Sequence, residues 1–331
     1  MHRKIRIVTT VFALLLLVST SASALELVFT HVLATEHPYQ AACYKMKEIV
    51  EAKTKGALTI TIHANAALAE EDQAIEALGM GTIALTTVSA APLTGFVKEY
   101  MACDLPFLFK SSEEAYAFYD GPIGDELFKL TEPVGLIGLA WWDNGFRNFT
   151  NRVRPLQKPE DFQRLKIRVM NSPVHLATVR ALGANAVPIN FGELYTALQQ
   201  GVVDGQENPV ANIYTSKFYE VQKYITLSRH FYDPSPTFIS KKVWDTLTPE
   251  QQKILKDAAV EARDHMRKIT NEQEAGIVEN LKKEGMEVAV LSVDEAKAFQ
   301  EATKDVWKEF EDTIGKDFLA KYLEEARKIS K

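Results

Sequence analysis

Cysteine is nearly absent from this 331-residue chain, which has only 2. That excludes a disulfide-stapled fold, and 16 Gly and 13 Pro are too few for a collagen-like or low-complexity chain. Charge of one sign is not concentrated anywhere. The 38 basic and 44 acidic residues are interspersed, and no basic block able to grip a phosphate backbone occurs, so nucleic acid is not an expected partner. Beyond the first two dozen residues no apolar run reaches the length of a membrane-spanning helix. No P-loop, nucleophile elbow or His-Glu-x-x-His pair is present, and the 7 His share no zinc-like spacing with Cys. Nucleophilic and metal catalysis have no visible apparatus, so the chain is not expected to be an enzyme; an assembled triad acting on a small acid is the alternative.

What is present begins with an address. His2, Arg3, Lys4 and Arg6 precede the apolar run 11–18 (VFALLLLV), and Ser21-Ala22-Ser23-Ala24 supplies small residues for a signal peptidase. Residues 1–24 are therefore expected to be a signal peptide cleaved after Ala24, placing the mature protein in the periplasm. No Cys stands at the cleavage point, so no lipid anchor is expected. Loss of Arg3, Lys4 and Arg6 makes the mature chain more acidic still. An oxidising compartment permits Cys43 and Cys103 to pair, with two buried thiols as the default.

With 46% hydrophobic residues the chain can bury a sizeable core, and its length suggests two lobes. Residues 25–31 alternate as a strand, and a helix runs from Pro38 to about Lys53, where Gly56 breaks it. Leu58-Thr59-Ile60-Thr61-Ile62 is β-branched and alternating. A helix over 70–78 and a strand over 82–88 complete a βαβ rhythm, which recurs as strand 165–169, helix 174–182, strand 186–189 and helix 192–200. The fold class this rhythm predicts is α/β with parallel pairing. Thr248 as cap, Pro249 at the first helical position and Glu250 open a helix that runs to about Lys283, long enough to span both lobes. A brief strand follows at 288–291, then charge-rich amphipathic helices. The expected division is lobe I from 25–144 plus about 234–275, and lobe II from 145–233 plus about 276–331.

Residues 77–83 (ALGMGTI) echo 197–203 (ALQQGVV): a helix end, a Gly suited to a left-handed cap, then a strand. The first copy formally matches the G-x-G-x-x-A dinucleotide fingerprint. That motif needs strand before helix, so that a helix N-terminus faces the pyrophosphate; here the helix comes first, and the match is rejected.

The most informative stretch is 141–209. It contains 141–151 (WWDNGFRNFTN), Arg154-Pro155, Pro159-Glu160-Asp161, 165–173 (LKIRVMNSP), 181–184 (ALGA) and 195–209 (YTALQQGVVDGQENP). With 104–109 (DLPFLF), 217–224 (KFYEVQKY) and 244–252, this order resembles the substrate-binding receptors of tripartite ATP-independent periplasmic (TRAP) transporters, of the DctP type, over essentially the whole mature chain. The resemblance implies a two-lobed periplasmic-binding-protein (Venus-flytrap) architecture with crossing strands, and an extracytoplasmic receptor that captures a small organic acid, such as a dicarboxylate, keto acid or sugar acid. It would deliver the acid to an integral-membrane permease driven by an ion gradient. No cofactor or metal is implied. The receptor is expected as a monomer, or as a dimer if the last helices expose an apolar face. A receptor for an ATP-driven importer or a sensor kinase shares the same two-lobe physics.

Arg168 matches the family Arg that pairs with the ligand carboxylate. Alternation in 165–169 independently sets Lys166 and Arg168 on one face, and a guanidinium at a strand end presents a rigid fork to a carboxylate; a surface salt bridge is the alternative. Arg147, after an expected Asn-Gly turn at 144–145, aligns with a second family Arg. It either touches the ligand or is a structural pair at the lobe junction. Asn208, after an expected strand-end turn at 204–207 and before Pro209, has an amide that both donates and accepts. Phe191 corresponds to an aromatic wall, with core packing the alternative. The family's strand leaving the first lobe falls on 104–109. His31, Glu71 and Ser89 lie at the carboxyl-end side of first-lobe strands, where open α/β sheets bind ligands. At Ser89 some relatives carry an acid, and the small hydroxyl here argues against a sialic-acid-like or other elaborate polyol.

Overall fold

The computed structural model describes residues 24–330. The signal-peptide expectation falls almost entirely on residues 1–23, outside the described residues. In chain order the first elements are β1 (Leu25–Thr30), α1 (Pro38–Lys53), β2 (Leu58–His63), α2 (Glu71–Met80), β3 (Leu85–Thr87), α3 (Ser112–Tyr119), α4 (Pro122–Thr131) and β4 (Leu136–Asn151). There follow β5 (Lys166–Val169), α5 (Pro173–Ala181), β6 (Asn185–Pro188), α6 (Phe191–Gln200), β7 (Gly205–Pro209), α7 (Val210–Thr215) and β8 (Tyr224–Ser240). The chain closes with α8 (Lys241–Trp244), α9 (Pro249–Lys283), β9 (Glu287–Val290), α10 (Val293–Thr303), α11 (Val306–Ile314) and α12 (Lys316–Ile329).

The two βαβ runs form two parallel sheet halves, joined by a pair of long strands. The order is β2-β1-β3-β8-β4-β7-β5-β6, with β9 also on β8. β4 and β8 run antiparallel along most of their length, so each crosses from one lobe to the other. Their first-lobe ends hold β3, which pairs with β8 over Leu85–Thr87; their second-lobe ends hold β7 and β9. Apolar side chains on both faces follow from this layering. Phe29, Trp142 and Ile239 build the core under α1, and Phe149, Ile167 and Val179 build one in the second lobe.

α9 begins where the cap signals predict. Thr248 Oγ1 accepts the Gln251 N–H, and the Gln251 side chain bonds back to the Thr248 N–H. Its 35 residues extend about 52 Å at 1.5 Å per residue. Ala258, Ala259, Ala262 and Met266 bury against the first lobe, while Ile277 and Leu281 bury against the second. The sequence echo is a shared local geometry: Gly81 and Gly201 each end a helix with φ near +79° and +70°, donating to the equivalent carbonyls of residues 77–78 and 197–198.

Three expectations are corrected. Residues 104–109 form no strand: a 3-10 turn ends at Asp104, Pro106 offers no N–H to a ladder, and Phe107 turns at φ +56° so that its N–H meets the His230 carbonyl. Residues 144–145 are not a turn between elements. Gly145, at φ +103°, sits at a bulge inside β4, where one extra residue is absorbed and the strand continues. Finally, only part of 276–331 packs on the second lobe. Phe299 of α10 joins Phe149 and Phe162, but Val306, Ile314, Leu319 and Tyr322 share a core with Phe118 and Tyr119 of the first lobe. The Tyr119 and Tyr322 hydroxyls are 2.7 Å apart, and the apolar faces of α11 and α12 are drawn inward by these aromatic partners. Cys43 and Cys103 are free thiols, buried in different cores.

Candidate ligand-binding site

The bulge in β4 and the carboxyl ends of β1, β3 and β5 converge between the lobes on a narrow, nearly closed space. It is lined by Val32, Leu33, Tyr39, Glu71, Ser89, Asn144, Arg147, Arg168, Met170, Phe191, Asn208 and Asn212. The sequence candidates Arg168, Arg147, Asn208, Phe191, Glu71 and Ser89 are thus brought together. His31 is not among the lining residues. It is buried beside Tyr39, with Nε2 2.8 Å from Gln40 Oε1, and burial lowers its pKa to about 4. The lobes touch around the space: the Gly192 N–H of α6 donates to the Glu70 carboxylate at 3.1 Å, and Asn171 Nδ2 donates to Asp72 at 3.2 Å.

Arg168 is the third residue of β5. Alternation puts it on the same face as Lys166, yet Lys166 at the strand's start is in solvent, whereas Arg168 near its carboxyl end is only 2% exposed. Its Nε donates to the Ile189 carbonyl at 2.8 Å, and its Nη1 is buried with no partner. Among the described residues it makes no ion pair. Burial, with the like charge of Arg147, lowers its pKa to about 10, which still leaves it cationic at neutral pH. Glu207, Glu71 and Glu70 offset part of this, but none of them forms an ion pair with the buried cation, and a carboxylate entering the space would supply that partner.

Arg147 is in the opposite condition. Its Nε bonds Glu207 Oε2 at 2.5 Å, Nη1 bonds Asp233 Oδ2 at 2.6 Å, and Nη2 bonds both Glu207 Oε1 and the Glu207 carbonyl. One Nη1 N–H remains unused. Of the two roles open to it, the strut at the lobe junction occupies nearly all its donors. Glu207 is fully buried; burial would raise its pKa, but Arg147, His175 and His230 outweigh this and hold the carboxyl well below its ordinary range. His175 pays a burial penalty as a cation, yet Asp104 and Glu207 push it up to about 9, while burial holds His230 down to about 4.

The side of the space formed by the lobe junction and α2 is rich in acceptors. Asp233 Oδ2 receives the Ser89 hydroxyl at 3.0 Å, Asn144 Nδ2 at 2.8 Å and Arg147. Glu71, the first residue of α2, accepts the Ser89 N–H at 2.8 Å; burial, with Asp233 nearby, pushes its pKa up to about 7. Across the space, Asn208 lies inside β7 opposite Asn148, not after a turn, and its Nδ2 donates to Gln206 Oε1. Phe191 opens α6 and packs on Phe218, with centroids 5.9 Å apart, while also lining the space. A wider surface groove between α4 and α9 contains no buried, unpartnered polar atom.

Sequence reasoning missed Asp233, Glu207, Asn144, Tyr39 and Asn212. Asp233 carried a signal: it is the lone acid of its strand, following Phe231 and Tyr232 and preceding Pro234. Glu71 gives the site a pH signature. Its folded pKa is raised from 4.5, so ionisation costs stability progressively as pH rises from about 4.5 through 7. Glu71→Gln keeps the acceptor for Ser89 and cannot ionise. In urea unfolding of the ligand-free protein it is expected to match the wild type near pH 4.5 and to exceed it at pH 8; equal differences at both pH values would contradict the burial of this carboxylate.

The chain is similar to proteins whose ligands are known. Residues 29–313 match the family model for bacterial extracellular solute-binding proteins, family 7 (DctP). The 2,3-diketo-L-gulonate-binding periplasmic protein YiaO of Escherichia coli is 34% identical over 284 residues, covering 86% of each chain. The C4-dicarboxylate-binding periplasmic protein DctP of Rhodobacter capsulatus is 34% identical over 94% of each. Among solved structures, the sugar acid binding protein of Advenella mimigardefordensis in complex with galactonate superposes with a TM-score of 0.90 at 36% identity, covering 92% of this chain and 99% of that one. No helix among the described residues is long and apolar enough to cross a membrane. The family model spans most of the chain, and the curated relatives match it over nearly their whole length: this chain belongs to the bacterial extracellular solute-binding proteins of family 7, the DctP family.

Proposed function

We propose that this protein is a periplasmic receptor for a small hydroxylated monocarboxylic acid, a sugar acid of the aldonate kind, which it hands unchanged to a TRAP-type membrane permease. The observation that carries the reading is the charge inventory of the space. Arg168 is a buried guanidinium without a counter-ion, whereas Arg147 is already matched by Glu207 and Asp233. One carboxylate is therefore wanted, not two. At the first-lobe end Glu71, Ser89 and Asn144 offer hydroxyl-binding groups, and the Asp233 carboxylate behind Ser89 repels a second carboxylate. The galactonate-bound relative, and the Polaromonas solute-binding protein bound to D-erythronate at 36% identity, support the same class.

Recognition is coupled to closure. The ligand bridges Arg168 and Asn208 on the second lobe to Glu71 and Ser89 on the first, so it binds the closed arrangement better than the open one and shifts the population toward it. Exclusion of water then strengthens the charge-assisted bonds. The Ser89 hydroxyl donates to Asp233, but that carboxylate is already held by Arg147, so the pair is not poised as nucleophile and base, and capture without chemistry is the role the groups support.

The test is a thermal-shift series with the purified mature protein. D-galactonate and D-erythronate at about a hundred times their Kd are expected to raise Tm by roughly 3–5 °C, and succinate at the same concentration by less. No shift with any acid, or a larger shift with succinate, would overturn the reading.

A further inference from the structure

We infer that His37 of the first lobe, acting through Asn212, sets the side-chain amide of Asn208 as a hydrogen-bond donor to the ligand. This rests on the receptor reading above and goes beyond it, because His37 does not itself line the space.

The chain of reasoning begins with a helix cap. His37 is the residue before Pro38 at the start of α1, and its Nδ1 accepts the Tyr39 N–H at 3.2 Å. An accepting Nδ1 carries no proton, so in the neutral ring the proton is on Nε2. Nε2 lies 2.9 Å from Asn212 Oδ1, 175 residues away in the chain and on the other lobe, with both side chains buried. Burial, with His31 close by, lowers the His37 pKa to about 3, so the ring is neutral at ordinary pH.

The tautomer then dictates amides whose orientation is otherwise free to invert. Asn212 must turn its oxygen to His37, so its Nδ2 faces Asn208 Oδ1 at 3.4 Å. With its oxygen engaged, Asn208 donates one N–H to Gln206 Oε1. Gln206 Nε2 donates in turn to Thr150 Oγ1 at 2.9 Å, whose hydroxyl donates to Gln222 Oε1 at 3.0 Å. Every group in this run points the same way. The proton left over is the second N–H of Asn208, at a residue that lines the space. Because His37 reaches Asn212 only when the lobes are together, the donor is fixed by closure, and a ligand presenting an acceptor there is favoured.

His37 is thus a positioning residue, and its two nitrogens can be tested apart. An Asn side chain reproduces Nδ1 and a Gln side chain reproduces Nε2. His37→Asn is expected to keep the cap and the ligand-free Tm while weakening D-galactonate binding about tenfold by calorimetry. His37→Gln is expected to lower the ligand-free Tm and keep the affinity. Affinity that falls in step with Tm in both variants, or wild-type affinity in His37→Asn, overturns the inference. So does a ¹⁵N NMR spectrum showing His37 protonated on Nδ1, which needs no ligand. Failure of the wild-type protein to bind D-galactonate, D-erythronate or succinate overturns the receptor reading itself, and this inference with it.

Discussion

Arg168→Met is expected to abolish measurable binding of the acid while leaving the ligand-free fold intact. The Arg168 fork can form two charge-assisted bonds with a carboxylate, each contributing roughly 1.5–3 kcal/mol, so their loss corresponds to an affinity drop of about 10²–10⁴-fold. The effect on folding runs the other way. The native guanidinium is buried with one carbonyl partner and an unpartnered Nη1, and replacing an uncompensated buried charge by an apolar side chain of similar length is neutral or stabilising. Calorimetry for affinity and urea unfolding for stability check the two halves separately. A variant that loses stability as much as affinity would mark Arg168 as a structural residue. Arg168→Lys is not a rescue, because a point charge does not reproduce the bidentate fork.

The second large effect is on stability. Glu207→Gln is expected to cost about 3–5 kcal/mol at pH 7, the penalty for breaking a buried ion pair by removing one partner. The Glu207 carboxylate is the common anion for Arg147, His175 and His230, and all four side chains are buried. Its loss leaves Arg147 with Asp233 alone and His175 with Asp104 alone. The pH dependence has a definite sign. A carboxyl whose folded pKa is depressed contributes stability that is fully present above the unfolded value of 4.5 and is lost as pH falls through the folded value. The gap between wild type and variant should therefore be widest at neutral pH and narrow in acid. A gap that is constant with pH would show that Glu207 acts through packing and not through charge.

Local structure was legible in the sequence because its causes are local. The Thr248-Pro249 start of α9, the glycine caps at 81 and 201 and the alternation of β2 and β5 all depend on a few neighbouring residues. Arg168 was legible as a candidate because a polar residue alternates with Leu165, Ile167 and Val169 within a resemblance covering the whole chain. What stayed hidden depends on contacts between distant segments. The pairing of Arg147 with Asp233 joins residues 86 apart, on two strands whose antiparallel crossing no local pattern announces. The packing of α12 on the first lobe depends on Tyr119, an aromatic partner 203 residues before Tyr322. Residues 104–109 read as a strand through the family resemblance, and the turn at Phe107 and its bond to His230 redirect them.

The most direct test of the site compares one acid with its uncharged twin. Calorimetric titration of the wild-type protein with D-galactonate and with D-galactonamide keeps every hydroxyl and removes only the anion. If Arg168 awaits a carboxylate, the acid binds and the amide is weaker by at least about a hundredfold. Equal affinity for the two would show that the buried guanidinium is not the anchor.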